Sequence, residues 1–117
     1  TTEVVDYFRM RSEAMLAAGI RPENIILDPG FGFAKTTEQN YELLAGLGEL
    51  CALGYPVLAG LSRKSMIYKV LGVTPAESLA GTVALGWECL RQGAKILRVH
   101  DVREAADTVR LFNMFRR

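Results

Sequence analysis

Thiol and imidazole are scarce: the 117 residues contain two cysteines, Cys51 and Cys89, and one histidine, His100. Both cysteines fall inside helical patterns. A pair is too few for a disulfide framework or a cysteine-rich zinc site, and a single histidine excludes the usual multi-histidine metal centres. Apolar runs are short, none approaching the roughly 20 residues that cross a bilayer, and no basic-then-apolar leader opens the chain. It therefore reads as a soluble, cytoplasmic protein with no membrane partner. Excess charge is absent too: 14 basic and 13 acidic side chains leave a formal net charge of +1, which offers no basic face to nucleic acid or anionic lipid. No linker or low-complexity segment interrupts the chain. Half of its residues are apolar, enough for a core of its own.

The order of patterns is helix, then three strand-loop-helix units. Glu3 to Ala18 carries Val4, Val5, Phe8, Met15 and Leu16 at helical spacing, with Gly19 as its stop and Pro22 beyond. Ile25-Ile26-Leu27 is a short strand ending in Asp28-Pro29-Gly30, followed by the loop Phe31-Gly32-Phe33-Ala34-Lys35. Thr36 with Gln39 forms a capping box for a helix running to about Leu53, with Gly54 as punctuation. Pro56 to Gly60 is the second strand, followed by Leu61-Ser62-Arg63-Lys64-Ser65 and a short helix through Leu71 and Gly72. Thr74-Pro75-Ala76-Glu77 combines a capping box with an N1 proline and opens an apolar helix through Leu90. Lys95 to Val99 is the third strand; Asp101 with Glu104 caps the last helix, which carries Val102, Ala105, Val109, Phe112 and Phe115.

Comparable points in the three units, Asp28, Ser62 and Arg98, lie 34 and 36 positions apart. Alternating strands and helices predict a parallel α/β sheet, which is normally covered on both faces or closed into a barrel of about 250 residues. Three strands alone would leave two unpaired edges, so residues 1–117 read as part of a domain whose earlier strands precede Thr1.

In parallel α/β folds the C-terminal strand ends form the ligand face, and here they deliver Asp28, then Ser62-Arg63-Lys64-Ser65, then Arg98 and His100. Period-two alternation puts Ile96, Arg98 and His100 on one face and Leu97 and Val99 on the other. Asp28 can accept from an amidine-like N–H pair, whereas Arg98, His100 and Arg63 suit an oxyanion such as phosphate or pyrophosphate. Backbone N–H groups at the helix start near Lys64 add a second anion-friendly position. The pattern implies a substrate with a polar heterocycle at one end and an anionic leaving group at the other. Each residue also has a plainer reading. Asp-Pro-Gly commonly makes only a turn, a lone histidine is often a packing or capping residue, and Arg98 in an apolar strand can be half of a buried ion pair. Lys35 reads as solvated, Cys51, Cys89 and Trp87 as packed, and Phe112 with Phe115 as core or subunit contact.

Three ordered segments, Asp28-Pro29-Gly30-Phe31-Gly32-Phe33-Ala34-Lys35, Gly60-Leu61-Ser62-Arg63-Lys64-Ser65-Met66-Ile67 and Ile96-Leu97-Arg98-Val99-His100-Asp101-Val102, closely resemble the motifs of bacterial dihydropteroate synthases. The resemblance runs the length of the chain. It implies a TIM (β/α)8 barrel of which this is the C-terminal portion, the last three βα units plus the preceding helix. It also implies a transferase of folate biosynthesis, condensing 4-aminobenzoate with 6-hydroxymethyl-7,8-dihydropterin pyrophosphate to 7,8-dihydropteroate and pyrophosphate. Sulfonamides compete with the aminobenzoate in that family.

Carried over, the motifs match Asp28 to the pterin-binding aspartate and Lys64 to the lysine between pterin and aminobenzoate. Phe33 and Ser65 match aminobenzoate-site positions, and Arg98 and His100 the pyrophosphate pair; Ser62 and Arg63 belong to the same substrate-binding set. Ala34 stands where the family often has glycine. In the family, C–O cleavage precedes amine attack and leaves a cationic pterin, so no protein nucleophile is needed. Magnesium is expected on the pyrophosphate oxygens, with its protein ligand outside this chain, and a homodimer through the last two helices. The chain alone is expected to be inactive without the N-terminal half of the barrel. Two alternatives of other kinds remain: a related pterin-binding methyltransferase barrel, which needs neither the Lys64 motif nor the Arg98 and His100 pair, and a noncatalytic half-barrel assembly.

Overall fold

A computed structural model describes residues 2–33 and 35–116. Ala34, the position of the alanine-for-glycine difference, lies outside the described residues. Helix α1 (Thr2–Ala17) opens the chain and α2 (Thr37–Ala45), α3 (Leu47–Cys51), α4 (Ser65–Leu71), α5 (Leu79–Arg91) and α6 (Val102–Phe115) follow. Short strands β1 (Leu58–Ala59) and β2 (Ile96–Leu97) pair in parallel, Leu58 opposite Ile96 and Ala59 opposite Leu97. Leu27 adds a third parallel line by a bridge to Val57. The three expected strands are thus present in order, with the 56–60 run in the middle, but each pairs over fewer residues than its apolar run. The middle run is bonded on both sides, Leu58 N–H donating to Leu27 and Arg98 N–H donating to Ala59, whereas among the described residues each outer run is bonded on one side alone.

Side-chain alternation divides this small sheet into a covered and an open face. Ile25, Leu27, Val57 and Ala59 are buried with Leu43, Leu44, Leu47, Leu50, Met66, Ile67 and Cys89 in one core. Ile26, of opposite parity, is 56% exposed, and Leu58 and Ile96 are only half-buried. The chain is accordingly a slab, 45 × 34 × 20 Å, with its helices packed behind the sheet and an apolar sheet face left open. Burial pushes the Cys89 thiol up to about 12, which makes it an inert packing group, as the apolar helical pattern around it suggests.

Two expected helices are divided. The run from Thr37 breaks at Gly46, whose φ of −101° and ψ of 11° leave the helical basin, although the capping box of Thr36 with Gln39 forms as expected. Gln92, at the end of α5, stitches the break: its Nε2 donates to the Leu44 carbonyl and its Oε1 accepts from Gly48 N–H at 2.8 Å. The run from Thr74 keeps its capping box with Glu77 but forms only a 3-10 turn, Pro75–Glu77, before Ser78 leaves the helical basin and α5 begins. Trp87 is half-buried, edge-on to Phe112 at 5.1 Å and Phe115 at 5.8 Å; Phe112 is buried while Phe115 stands 78% exposed.

The expected Asp101 cap is not made. Asp101 holds the N-cap position of α6 without a side-chain capping bond, because its carboxylate is taken by Arg63, whose Nε and Nη2 donate to the two oxygens at 2.8 Å each. A bidentate guanidinium outcompetes a neutral N–H for a carboxylate. Arg63 Nη1 also donates to the Pro75 and Ala76 carbonyls at 2.8 Å, and its backbone N–H to Thr82 Oγ1 at 3.1 Å. These bonds hold Arg63 at a φ of 55°, a left-handed conformation unusual for a non-glycine residue. One latch thus ties the loop before α4 to the turn before α5 and to the start of α6.

Two stability measurements test this packing. A methyl group at Gly81 would sit 2.6 Å from Ile67 Cγ2 and 3.0 Å from Leu71 Cδ1, where α5 crosses α4. Overpacking typically costs about 1–3 kcal/mol and the helical gain over glycine returns about 1. Gly81→Ala should therefore lower stability by about 1 kcal/mol in urea titration, whereas an unchanged midpoint would mean that the crossing is loose. The Arg63 guanidinium holds the Asp101 carboxyl below the usual carboxylate range. A depressed folded value stabilises above the unfolded value of about 3.9 and loses that effect as pH falls through the folded value. The stability gap between the parent and Asp101→Asn should be constant near neutrality and close below about pH 4; a gap independent of pH would remove the ion pair from the account.

Candidate functional site

Asp28 leaves the open face at the end of the first strand run. Its Oδ1 accepts from Gly30 N–H at 2.9 Å, an Asx turn that lets Pro29 and Gly30 swing the chain away from the sheet, and its Oδ2 lies 3.5 Å from Arg98 Nη1. Neither partner is buried: the Arg98 and Asp28 side chains are 53% and 39% exposed, so this contact is a loose surface pair worth little in stability. The strand ends at Leu97, and Arg98 reaches solvent at the strand end, so its alternative reading as a buried ion pair does not hold. The carboxylate and guanidinium remain available to a ligand.

The loop after Asp28 is fixed by Asn40, which the sequence pattern does not single out, and by Lys35, which it reads as solvated. Asn40, buried in α2, accepts from Gly32 N–H at 2.8 Å and donates to the Thr36 carbonyl at 3.0 Å. Its signal was its place at helical spacing with Leu43, Leu44 and Leu47, a polar residue on an apolar face. Lys35 is not a freely solvated lysine; its ammonium gathers the Gly30, Pro29 and Phe33 carbonyls at 2.9, 3.2 and 3.3 Å. Phe31 is buried as the loop's anchor, while Phe33 presents its ring 67% exposed.

Lys64 meets this loop from the second unit. Its Nζ donates to the Phe31 carbonyl at 2.5 Å and lies 5.1 Å from the centre of the Phe33 ring. The lysine stem passes so close to Gly32, itself at a φ of +87°, that a Cβ there would be 3.2 Å from Lys64 Cδ. Partial burial lowers the Lys64 pKa from the usual lysine range; nearby Arg98 adds to the effect, Asp28 opposes it, and Lys35 also lowers it. Lys64 thus feels two further cations against one carboxylate, a field suited to an anionic ligand.

Ser62 is buried, and its Oγ accepts from His100 N–H at 3.2 Å and lies 3.1 Å from His100 Nδ1, which fixes the ring of an exposed histidine. Two hollows result. Phe31, Gly32, Phe33, Ser65, Tyr68 and Lys64 border one, and Gly60, Ser62, Arg98, His100 and Lys64 border the other. Lys64 is common to both. Ser65 begins α4, whose first turn is capped by no side chain. Arg63 edges the first hollow, but the four bonds described above direct its guanidinium to Asp101 and the 75–76 carbonyls rather than to Arg98. Among the described residues, no three His, Cys, Asp or Glu side chains converge to hold a metal ion.

The chain that carries these hollows has counterparts of known type. The dihydropteroate synthase of Haemophilus influenzae is 46% identical over 110 residues, covering 94% of this chain and 40% of that protein. Among solved structures, the Yersinia pestis dihydropteroate synthase superposes with a TM-score of 0.92 at 42% identity, over 98% of this chain and 54% of that one. The Coxiella burnetii dihydropteroate synthase in complex with pteroic acid superposes with a TM-score of 0.93 at 36% identity, over 98% and 43%. The chain therefore spans about two-fifths of the length of the curated relative that it matches. A family model described as pterin binding enzyme matches residues 1–100, and with that match covering most of a chain whose strand ends carry this site, the chain belongs to the pterin-binding enzyme family.

Proposed function

We propose that this chain is the C-terminal portion of a dihydropteroate synthase TIM barrel. In this reading it contributes one side of the site that joins 4-aminobenzoate to 6-hydroxymethyl-7,8-dihydropterin pyrophosphate. The observation that carries the reading is the convergence of Asp28, Lys64 and Arg98, from three successive strand ends, on the open face of the sheet. The open apolar face and one-sided outer strands support a barrel completed by further strands. Exposed Leu111, Met114 and Phe115 on α6 support a homodimer contact near this end, and two free thiols fit a reducing cytoplasmic setting.

The roles follow from charge. Asp28 accepts the N–H groups of the pterin and supports the positive charge left when the C–O bond breaks. Arg98 and His100 face the departing pyrophosphate, with Ser62 setting the imidazole. Lys64 lies between the hollows, where its ammonium can meet both the pterin and the amine-bearing ring. Phe33 and Ser65 hold the ring and carboxylate of 4-aminobenzoate. Preorganised charges of this kind act on the transition state without a protein nucleophile. The described residues do not fit a metal cage of their own; the magnesium expected on the pyrophosphate oxygens would take its protein ligand from outside this chain.

A chromatographic assay for 7,8-dihydropteroate tests the reading directly. The chain alone should give no product, and the chain mixed with the separately expressed N-terminal half of a matching synthase should give product. A correctly sized complex that stays inactive beside an active full-length control would overturn it. In the complemented enzyme, Arg98→Ala should lower kcat/KM for the pyrophosphate substrate by roughly 100-fold, the loss typical of one transition-state charge partner. A related methyltransferase barrel would show no such dependence on Arg98.

A further inference from the structure

The loose pair between Asp28 and Arg98 spans the whole sheet, because the strand run that carries Asp28 and the one that carries Arg98 are both neighbours of the 56–60 run and not of each other. Two strand spacings, roughly 10 Å, separate them. Asp28, Gly60 and Arg98 share the open-face parity of Ile26, Leu58 and Ile96, so any side chain at residue 60 would project into the path of the guanidinium. A methyl group built on Gly60 falls 2.6 Å from Arg98 Nη2, 2.9 Å from Nε and 3.0 Å from Cζ. Contacts that short are excluded, and the crowded group is the movable end of a flexible side chain. Gly60 is not among the glycines at positive φ, so its backbone tolerates alanine. What the position requires is empty space.

We propose that Gly60 is a positioning residue: the missing Cβ opens a channel across the middle strand through which Arg98 lies flat, and this holds its guanidinium beside Asp28 and Lys64. The assignment rests on the synthase reading for the identity of the anion, pyrophosphate, but the channel itself is geometric. With alanine at this position, the guanidinium is pushed off the sheet into solvent, and the anion loses its preoriented fork although Arg98 is still present.

The test uses the full chain as four proteins, the parent, Gly60→Ala, Arg98→Ala and the double variant, titrated with inorganic pyrophosphate by calorimetry. Gly60→Ala should weaken binding about tenfold, close to the effect of Arg98→Ala, as expected for loss of one charge-assisted contact. It should add nothing in the Arg98→Ala background, because a residue acting through another is silent without it. Losses that add in the double variant, or a Gly60→Ala chain that binds like the parent, would overturn the assignment. A second reading needs no ligand: the Arg98 Nε–H nuclear magnetic resonance signal should move on Asp28→Asn in the parent and stay still in Gly60→Ala. A signal that responds equally in both backgrounds overturns the channel. If the parent chain by itself fails to bind pyrophosphate, the synthase reading is still decided by the complementation assay, and the resonance decides the role of Gly60 by itself. If Gly60→Ala unfolds while the double variant melts like Arg98→Ala, the methyl-guanidinium clash is upheld; unfolding of both overturns it.

Discussion

The contact of the Lys64 ammonium with the Phe31 carbonyl joins the first two units on the ligand face. It brings the loop that follows Asp28 against the start of α4, and it fixes how far apart the two hollows lie, since Lys64 walls both. The same ammonium lies over the Phe33 ring, so an aromatic side chain that is 67% exposed nevertheless has a preferred position. This contact can exist only because the loop presents its carbonyls inward, and that in turn depends on Asn40 and Lys35, which hold its N–H and carbonyl groups from outside. The charge carries a cost: half-buried among Arg98 and Lys35, Lys64 is a less willing cation than a surface lysine, and an incoming anion relieves that repulsion.

The sequence was most informative at the strand ends. Apolar runs of two to four residues closed by Asp28, Gly60 and Arg98 announce parallel strands and their ligand-facing termini, and period-two alternation puts Arg98 and His100 on one face with Ile96. Helix starts were equally readable where a local capping box decides them, as at Thr36 and Thr74. The breaks were not. Gly46 lies in a run with good helical periodicity, and what stabilises the break is Gln92, more than forty residues away, whose amide serves the freed groups of Leu44 and Gly48. Asp101 followed the same course: locally it is a cap, but the competing partner is Arg63, 38 positions earlier. Local patterns report local competition, and these outcomes were decided by contacts that only the folded chain makes.

The same distinction separates the site residues. Asp28, Arg98 and His100 stand out as candidates because each is an ionisable group at the end of an apolar strand, and Lys64 because it opens a helix beside Arg63 and two serines. Asn40 and Lys35 are illegible as site residues because each bonds to the backbone of the loop that faces the ligand. Arg63 shows the reverse. It sits in the most ligand-like stretch of the chain, yet four of the N–H groups of its fork go to Asp101 and two carbonyls. A left-handed arginine held on all sides turns the chain sharply between Ser62 and Lys64, so that one faces His100 and the other faces Phe31.

The proposed chemistry separates charge: a dianionic or more highly charged leaving group departs and a cation stays behind. A site serving both needs positive and negative groups close together but not neutralised by one another. A tight, buried Asp28–Arg98 bridge would spend both charges on each other and would resist being opened. At 3.5 Å, with both side chains substantially exposed, the pair is loose enough for each member to face its own half of the substrate. On this face the tight, bidentate pairing is between Arg63 and Asp101, where it braces the loop instead of the ligand. In the proposed site, distance and exposure therefore divide these two pairs by task, the close one bracing the loop and the open one left to the substrate.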